Sequence, residues 1–509
     1  MMDLDKIMES FYACAEGNPL YNAFPEKKGV HPFSSGEEVT EPYHEIWNKK
    51  APIEIGKKDT TIYIHVPFCR TKCTYCPFYF KKSSEEEINK YFTYLKKEIE
   101  ITAKSLCDNN TPIRAVYFGG GTPTDLSSKQ IKEIIASLKS NFNIAPDCEI
   151  TLEGRVIGYK DGMIDEYLEG GVSRFSLGVQ TFNTDIRRST GRLASREEII
   201  YTLNSIKRAN GAPLVIDLIY GLPNQTMETW KEDLNIATNY VDIDGVDLYQ
   251  LNVIPNTVLF DQIHNAKKFS PTTTQQKADF FKYGKDFMAQ NLVRRQSLKH
   301  WGYSNRERGV YNTLTRYGRD CIPLGNRSGG KFTGYSISQA GSMEDYYSMI
   351  DRGIKPINTL TKLPESDNFF SELSGQIDDY VGFNFNRLKY NENFQNMDKK
   401  LSRLLTQWEE VGIISKGDFG WYKLTESGQF WALNIYQKLK GFISMLKEME
   451  NGNSKMKSEH PHAKMMGGHS HGEKMGGHPH AKMGGHPHGE KINEHPHAKM
   501  GENPNKGKM

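Results

Sequence analysis

The stretch "TIYIHVPFCRTKCTYCPF", Thr61 to Phe78, joins an apolar, β-branched run to three closely spaced thiols. The run ends at Val66 and has the composition of a buried strand. Cys69, Cys73 and Cys76 follow it directly, in a chain that has seven cysteines. The predicted strand therefore leads straight into a loop that presents three thiols together.

Similar runs recur along the chain and alternate with amphipathic helical segments such as Ser127 to Phe142. The later runs are AVYFGG from Ala115, EITLEG from Glu149, RFSLGVQ from Arg174, LVIDLIYGL from Leu214 and GVDLYQLNVI from Gly245. Strands that alternate with helices form parallel sheets, and near-continuous apolar strands indicate a sheet covered by helices. We predict an α/β fold with a partial (β/α)6 TIM-like barrel.

Composition and charge exclude several classes of protein. The formal charge is +3 over 65 basic and 62 acidic residues, which favours neither nucleic acid nor anionic lipid as a partner. Seven unevenly spaced cysteines do not form a secreted disulfide framework. The first residues lack the pattern of a signal peptide, and no stretch approaches the ~18 apolar residues of a membrane span. We expect a cytoplasmic protein with no membrane span and a small, buried ligand.

The chain is too long for one ordinary core, so we predict several parts. They are an N-terminal arm with one short helix (1–59), the barrel core (60–260), a substrate-side or connecting region (261–390), a winged-helix-like domain (391–445) and a disordered tail rich in His and Met (446–509). The winged-helix-like segment is not notably basic, which favours a lid or scaffold role over DNA binding.

Chemistry in such barrels collects at the carboxyl ends of the strands. Those ends carry the cysteine loop, the glycine-rich GGGTPT, Glu153 and Arg155, Gln180, and Asp217. Glu153 and Asp217 lie inside apolar runs, where a lone carboxylate is costly to bury. A bound polar ligand is expected to offset that cost.

The three loop cysteines are best explained by an iron–sulfur cluster. A structural zinc site usually needs four ligands, and Cys14, Cys107, Cys148 and Cys321 form no second close pair. A disulfide would leave the third thiol without a partner. A cluster held at three corners leaves one iron open to an outside molecule. The plainer alternative is that the cysteines are reduced loop residues.

The pattern C-x-x-x-C-x-x-C, with Tyr75 before its last cysteine, resembles the signature of the radical S-adenosylmethionine (SAM) enzymes. The resemblance implies a [4Fe-4S] cluster bound by Cys69, Cys73 and Cys76. It also implies SAM as a second cofactor, which binds the open iron and is cleaved to a 5′-deoxyadenosyl radical.

Five motifs in the same order resemble a narrower family, which includes oxygen-independent coproporphyrinogen dehydrogenase, a bacterial haem chaperone and the anaerobic haem-degrading ChuW/HutW branch. They are YIHVPFC, YFGGGTPT, SLGVQTF, DLIYGLPNQT and LNVIPNT. The resemblance implies catalytic roles for Tyr63, near the substrate, and Arg192, which pairs with the cofactor carboxylate. It implies cofactor contacts from Tyr75, Gly119, Gly120, Gly121, Thr122, Glu153, Gln180, Arg192 and Asp217.

Two features favour the haem-degrading branch. The chain has Phe78 where the coproporphyrinogen enzyme usually carries a fourth cysteine, and its arm, NPLYNAFPEKKGVHPF, is similar to that branch. The branch implies haem as substrate, methyl transfer from SAM, ring opening to a linear tetrapyrrole and release of iron. Its partners would include a flavodoxin-like, low-potential reductant and a haem carrier or tetrapyrrole reductase. A haem chaperone and a coproporphyrinogen III dehydrogenase stay open as alternatives.

Residues outside these motifs are further candidate ligands of haem iron. His31 in the arm is free to touch haem iron, Cys321 is either an axial ligand or an apolar filler, and His65 follows the strand period into the core.

The tail repeats units such as EHPHAKM and GGHPHGEK and holds ten of the 15 histidines. Paired imidazoles suit borderline metals or haem, so we expect a metal- or haem-binding tail. A low-complexity tail without a dedicated ligand is the alternative.

Overall fold

The computed structural model describes residues 4–29, 36–50, 59–78, 81–82, 84–106, 111–159, 162–388, 394 and 396–450. Met1–Leu446 is one compact unit. In the described residues no helix is long and apolar enough to cross a membrane.

A large mixed sheet of 13 strands organises this unit. Its strands are β1 (Glu37–Glu38), β2 (Thr60–Val66), β3 (Ile113–Gly120), β4 (Ile144–Gly154), β5 (Arg174–Gln180), β6 (Leu214–Tyr220), β7 (Gly245–Gln250), β8 (Arg294–Arg295), β9 (His300–Gly302), β10 (Asp320–Leu324), β11 (Gly329–Phe332), β12 (Tyr335–Gln339) and β13 (Ile357–Lys362). Strands β2 to β7 are adjacent and parallel in chain order. They coincide with the six predicted strands, so the (β/α)6 barrel prediction is confirmed.

Helices follow the parallel strands as the amphipathic segments predict. The helices are α1 (Leu4–Glu9), α2 (Pro19–Asn22), α3 (Tyr43–Lys50), α4 (Glu85–Ser105), α5 (Ser128–Asn141), α6 (Met163–Gly170), α7 (Thr184–Ser189), α8 (Arg196–Ala209), α9 (Met227–Asn239), α10 (Val258–His264), α11 (Thr274–Gln290), α12 (Val310–Arg316), α13 (Met343–Asp351), α14 (Asp367–Asp379), α15 (Met397–Lys400), α16 (Ser402–Val411), α17 (Glu426–Phe430) and α18 (Ala432–Glu450). Capping boxes start α4, α5, α8 and α9, where a Ser or Thr side chain satisfies a free backbone N–H.

The two faces of the parallel strands differ in chemistry. Ile62 and Ile64 of β2 are fully buried in the apolar core that also holds the inner faces of the helices. Tyr63 and His65, which alternate with them, point to the other face and lie within hydrogen-bond distance of each other. The outer face of the sheet is thus an ordinary core, and the inner face is polar.

The region predicted as substrate-side or connecting, 261–390, adds strands to both edges of the sheet. Strand β10 adds parallel to β2, followed by antiparallel β11, β12, β13 and β1. Strand β9 adds antiparallel to β7 at the opposite edge and carries β8. The sequence contains the strands, but pairing over this distance leaves no local signal.

A buried ionic network closes the inner face at the amino end of the strands. Both Nε and Nη2 of Arg174 donate to the Glu307 carboxylate at 3.0 Å. His300 lies 3.1 Å from both Glu307 and Asp247. Burial opposes the charge of Glu307, yet Arg174 and His300 outweigh it and lower the pKa of Glu307 to about 2. The network attaches the segment before α12 to strands β5 and β7.

Helix α12 then lies across the inner face. The carboxylate of Glu149 accepts hydrogen bonds from the backbone N–H groups of Val310 and Tyr311 at 3.1 and 3.2 Å. An anion at this position satisfies free N–H groups and complements the helix dipole. Tyr311 is thereby directed toward the strand side chains.

The N-terminal arm is more structured than predicted, with three helices and strand β1 instead of one helix. It packs on the C-terminal helices: Trp408 Nε1 donates to the carbonyl of Phe11 at 3.2 Å. The side-chain amide of Gln407 exchanges two hydrogen bonds with the backbone of Ala13, at 3.0 and 2.7 Å. Most of these contacts span about 400 residues, which explains why the arm carries no periodicity of its own.

The C-terminal elements include the predicted helix and two-stranded wing. Strands β14 (Gly382–Phe383), β15 (Ile414–Lys416) and β16 (Tyr422–Leu424) form a small antiparallel sheet between α16 and α18. Helix α18 continues to Glu450, past the predicted start of the tail at 446. The rest of the predicted tail lies outside the described residues.

Replacing Glu307 by Ala tests the ionic network. The change leaves Arg174 buried without its anion and His300 with Asp247 alone, so we expect the free energy of unfolding to fall by ~3–5 kcal/mol. Urea unfolding followed by circular dichroism measures it. The control is Glu169→Ala, which removes an exposed pair with Lys132 and should cost under ~1 kcal/mol. Equal losses in the two variants would contradict a structural role for the network.

Candidate functional site

The cysteine loop begins directly after β2. Cys69 is buried, and its sulfur accepts a hydrogen bond from Thr122 Oγ1 at 3.2 Å. Cys73 and Cys76 are half-buried, and Arg155 Nη2 lies 3.8 Å from the sulfur of Cys73. Burial raises the pKa of the Cys69 thiol to about 11, although Thr122 and Arg155 oppose the shift. Without a cation the loop therefore holds this group as a thiol.

Chain segments that follow other strands hold the cysteine loop in place. The backbone N–H of Thr74 donates to the carbonyl of Thr190 at 3.0 Å, and the carbonyl of Thr74 accepts from Leu259 at 2.8 Å. Arg155 Nη1 donates to the carbonyl of Thr71 at 3.0 Å. The loop is thus fixed by chain segments that follow β4, β5 and β7.

Three glycines at the end of β3 form a closely packed cradle beside the loop. A Cβ on Gly119 would lie 2.9 Å from the ring of Tyr63 and 3.0 Å from a carboxylate oxygen of Glu153. A Cβ on Gly121 would lie 2.4 Å from the carbonyl oxygen of Phe68, at the start of the loop. Gly120 has a φ of +105°, which a residue with a side chain rarely adopts. Only glycine fits at these three positions without displacing its neighbours.

Glu153 and Asp217 lie on the inner face of β4 and β6, and both are half-buried. Burial raises the pKa of Glu153 to about 7, and Arg192 and Tyr117 only partly oppose it. Burial, together with Asp247 and Glu153, raises the pKa of Asp217 well above its usual range. Asp217 and Asp247 are direct neighbours in the register of β6 and β7. Three carboxyls, those of Glu153, Asp217 and Asp247, therefore lie close together, and such a group favours a bound cation.

Arg192 supplies a buried cation in the same place. Its Nε donates to the Tyr75 hydroxyl at 3.2 Å. A Cβ on Gly178 would lie 3.0 Å from the guanidinium and 2.6 Å from Nε2 of Gln180. Gln180 itself has a φ of +72°, and its Oε1 is buried without a hydrogen-bond partner. A strained residue with an unsatisfied acceptor indicates a ligand position.

An aromatic group lines the inner face next to these residues. The rings of Tyr63, Tyr117 and Tyr311 lie 4.7 to 6.3 Å apart, centroid to centroid. The hydroxyl of Tyr63 lies 3.2 Å from Nδ1 of His65. Burial lowers the pKa of His65 to about 4, so the ring is neutral. We call Tyr63, Tyr117 and Tyr311 the aromatic wall; their rings are inclined to one another by 23° to 31°.

The structure brings together the predicted residues Tyr63, Tyr75, Gly119, Gly120, Gly121, Thr122, Glu153, Gln180, Arg192 and Asp217 around the cysteine loop. It places Cys321 in β10, buried and 3.8 Å from the Tyr311 hydroxyl. His65 is buried as predicted, although it faces Gly120 and not the apolar core. His31 lies outside the described residues.

Tyr117 and Tyr311 were not among the site residues predicted from the sequence. Tyr117 precedes Gly119 by two residues in β3, so strand alternation could have assigned it to the inner face. Tyr311 comes from α12, far along the chain, and nothing local indicates its position.

The residues present fit a cluster and a sulfonium cofactor. In the part of the chain that the structure describes, no three His, Cys, Asp or Glu side chains converge on one metal ion. Each cysteine of a four-iron cluster binds a different iron, so its ligands need not converge in that way. The glycine cradle, the unpaired acceptor of Gln180 and the raised pKa of Glu153 all favour a cationic partner with hydrogen-bond donors.

Comparison with known proteins agrees with this geometry. Residues 63–237 match the model of the radical SAM superfamily. The chain is 35% identical over 428 residues to anaerobilin synthase of Escherichia coli O157:H7, which covers 83% of this chain and 93% of that protein. The chain belongs to the radical SAM superfamily. Its group also contains the haem chaperone HemW of Buchnera aphidicola, 30% identical over 274 residues, which cover 54% of this chain and 70% of HemW.

Solved structures agree on the fold. Coproporphyrinogen III oxidase (HemN) from Escherichia coli superposes with a TM-score of 0.69 at 19% identity, over 80% of this chain and 96% of that chain. Membership in the superfamily implies a [4Fe-4S] cluster and SAM. The cysteine loop and the polar inner face are where such a pair would be held.

Changing Glu153 to Gln tests the electrostatics of the cofactor-free protein. The pKa of Glu153 is about 7 in the folded protein and about 4.5 in the unfolded chain. The protonated carboxyl therefore stabilises the fold fully below about pH 4.5, and this stabilisation is lost as the pH rises through about 7. The Gln variant lacks this loss. Between about pH 5 and about pH 8 it should gain up to about 3 kcal/mol in unfolding free energy relative to wild type.

Urea unfolding at the two pH values measures the gain. Exposed Glu410→Gln is the control and should shift little with pH relative to wild type. A Glu153→Gln variant whose difference from wild type does not change with pH would show that this carboxyl is ionised in the fold.

Proposed function

We propose that this chain is a radical SAM methyltransferase that opens the haem macrocycle without oxygen. The product is a linear tetrapyrrole, and the released iron serves iron acquisition. The observation that carries the proposal is the similarity to anaerobilin synthase over 93% of that protein, which extends well beyond the barrel. A flavodoxin-like reductant would supply the electrons.

The residue after the cysteine loop supports this branch over decarboxylation. Phe78 stands two residues past Cys76, where coproporphyrinogen dehydrogenases usually carry a fourth cysteine, and its side chain is 61% exposed. A phenyl ring at this position cannot bind a metal.

The chain's own groups would bind and orient the cofactors. When bound, the cluster and SAM supply a one-electron cleavage that generates a carbon radical. Arg192, held by Tyr75, pairs with the cofactor carboxylate. Glu153 and the Oε1 of Gln180 would accept hydrogen bonds from its ammonium or ribose hydroxyls, and Asp217, whose pKa is raised by burial, would add a further hydrogen-bonding carboxyl. The glycine cradle lets this end of the cofactor approach the backbone of β3.

The aromatic wall would face the flat substrate. Tyr63, Tyr117 and Tyr311 offer stacked rings of the kind on which a planar macrocycle packs. Burial, followed by the nearby Glu153, raises the pKa of Tyr63, so its hydroxyl keeps its proton and can donate it in a hydrogen bond. Glu153, with a pKa near 7, can hold or release a proton between the two ligands.

The main alternative is a haem carrier that keeps the cluster without ring chemistry, since HemW is a relative. An anaerobic assay with haem, SAM and a low-potential reductant separates the two. We expect the Soret band to disappear, a linear-tetrapyrrole spectrum to form, and a labelled SAM methyl group to appear in the product. Cys73→Ala should abolish all three, and Cys14→Ala, an exposed cysteine outside the loop, should change none.

A persistent but shifted Soret band in the wild type would indicate a carrier instead. Carbon dioxide release from coproporphyrinogen, with haem unchanged, would indicate decarboxylation.

The histidine-rich repeats in 446–509 support a second proposal, that the tail binds the released metal or haem. Ten closely spaced imidazoles can chelate a cation that one imidazole would bind weakly. Replacing these ten histidines by serine in the full-length chain should leave haem turnover unchanged and remove most nickel and ferrous iron binding in equilibrium dialysis. Equal metal stoichiometry in both proteins would overturn the proposal.

A further inference from the structure

A cleft lies between the arm, the ends of β6 and β7, and the C-terminal helices. The space inside it is about 130 Å³, less than the roughly 300–1,000 Å³ of sites that enclose a whole small molecule, so it suits one part of a ligand. Its walls include Lys27 of the arm, Tyr220 and Tyr249 of the strands, Lys299, and Phe430 of α17. We call it the lysine cleft.

Three lysines line it, Lys27, Lys28 and Lys299, together with Asp378. Lys28 pairs with Glu26, and Asp378 lies 3.7 Å from Arg316. Among the residues that the structure describes, neither Lys27 nor Lys299 has a carboxylate within ion-pair distance. The ammonium of Lys27 donates to the carbonyl of Lys28 at 3.0 Å and lies 5.0 Å from the ring centre of Phe430. Burial, with Lys299 and Lys277 adding like charge, lowers the pKa of Lys27 to about 7. An anion entering the cleft would remove this repulsion.

The wall also contains an unused acceptor. Among the described residues, Oε1 of Gln250 is buried there without a hydrogen-bond partner. The arm is held against this wall, because Asn252 Nδ2 donates to the carbonyl of Gly29 at 2.8 Å. The position of Lys27 is therefore tied to the end of β7.

The cleft borders the inner face that carries the site. Tyr249 lines it and lies two residues after Asp247, so the two side chains share the inner face of β7. Asp247 in turn pairs in register with Asp217, and Tyr249 with Ile219. A ligand that lies against the aromatic wall could therefore extend past Tyr249 into the cleft.

We propose that the lysine cleft binds the two carboxylates of the tetrapyrrole substrate, with Lys27 and Lys299 as their cationic partners. The inference rests on the proposed function, whose substrate is a planar dicarboxylate. Apolar and aromatic walls with two separate ammonium groups suit an amphipathic molecule that carries two acidic groups at one edge. The arm then has a specific role, because it supplies one of the two cations.

The test compares haem with haem dimethyl ester, which has the same macrocycle without the charges. Binding of each to anaerobic, cluster-loaded protein is titrated by absorbance, in the wild type, Lys27→Gln, Lys299→Gln and the double variant. We expect each single change to weaken haem binding about tenfold, ~1.4 kcal/mol, and to leave ester binding unchanged. Lys129→Gln, which changes an exposed lysine of α5, is the matched control.

Preference for haem over the ester in the wild type, lost in the double variant, supports the proposal. Equal binding of haem and ester to the wild type, or unchanged haem affinity in the double variant, overturns it. Ester binding serves as the folding control, because a misfolded variant would lose both ligands. The proposed function is tested separately by haem turnover. If the wild type binds haem with this preference but does not consume it, the proposed function is wrong and the proposed role of the lysine cleft stands.

Discussion

The rest of the structure depends on one electrostatic constraint, the presence of several carboxyls on the inner face of the barrel. Glu153, Asp217 and Asp247 lie there close to Arg192, Arg174 and His300, and the last two cations are also paired with Glu307. A packed barrel would fill this space with branched apolar side chains. Keeping acids here costs stability, and the cost is offset when a cationic cofactor binds. The inner face therefore has the charge that a sulfonium compound needs.

Long-range contacts keep this face assembled. The Arg174–Glu307 pair fixes the segment that carries α12, and α12 in turn places Tyr311 on the aromatic wall. The arm is anchored on the C-terminal helices through Trp408 and on the end of β7 through Asn252. Elements outside the six parallel strands thus shape the substrate side, while the strands and their loops shape the cofactor side.

This division also explains how much could be predicted from the sequence. The apolar runs of β2 to β7 and the loops after them are local signals, so the sequence was enough to predict the barrel and to assign the cysteine loop, the glycines and Glu153 to strand ends. Their roles as ligands stay predictions. Strand alternation also contained Tyr117, although it was not used. Glu307, Tyr311 and Lys27 reach the site through contacts between distant parts of the chain, and nothing in their neighbouring residues indicates that position. The arm looked irregular because its order comes from packing on residues near the other end of the chain.

The central claim is that the chain holds an iron–sulfur cluster by three cysteines and leaves one iron open for a sulfonium cofactor. The most direct measurement is the Mössbauer spectrum of anaerobically reconstituted protein, recorded with and without SAM. We predict a four-iron cluster in which one iron site alone changes its parameters when SAM is added. A protein that assembles no such cluster, or whose cluster is unaffected by saturating SAM, would contradict the account.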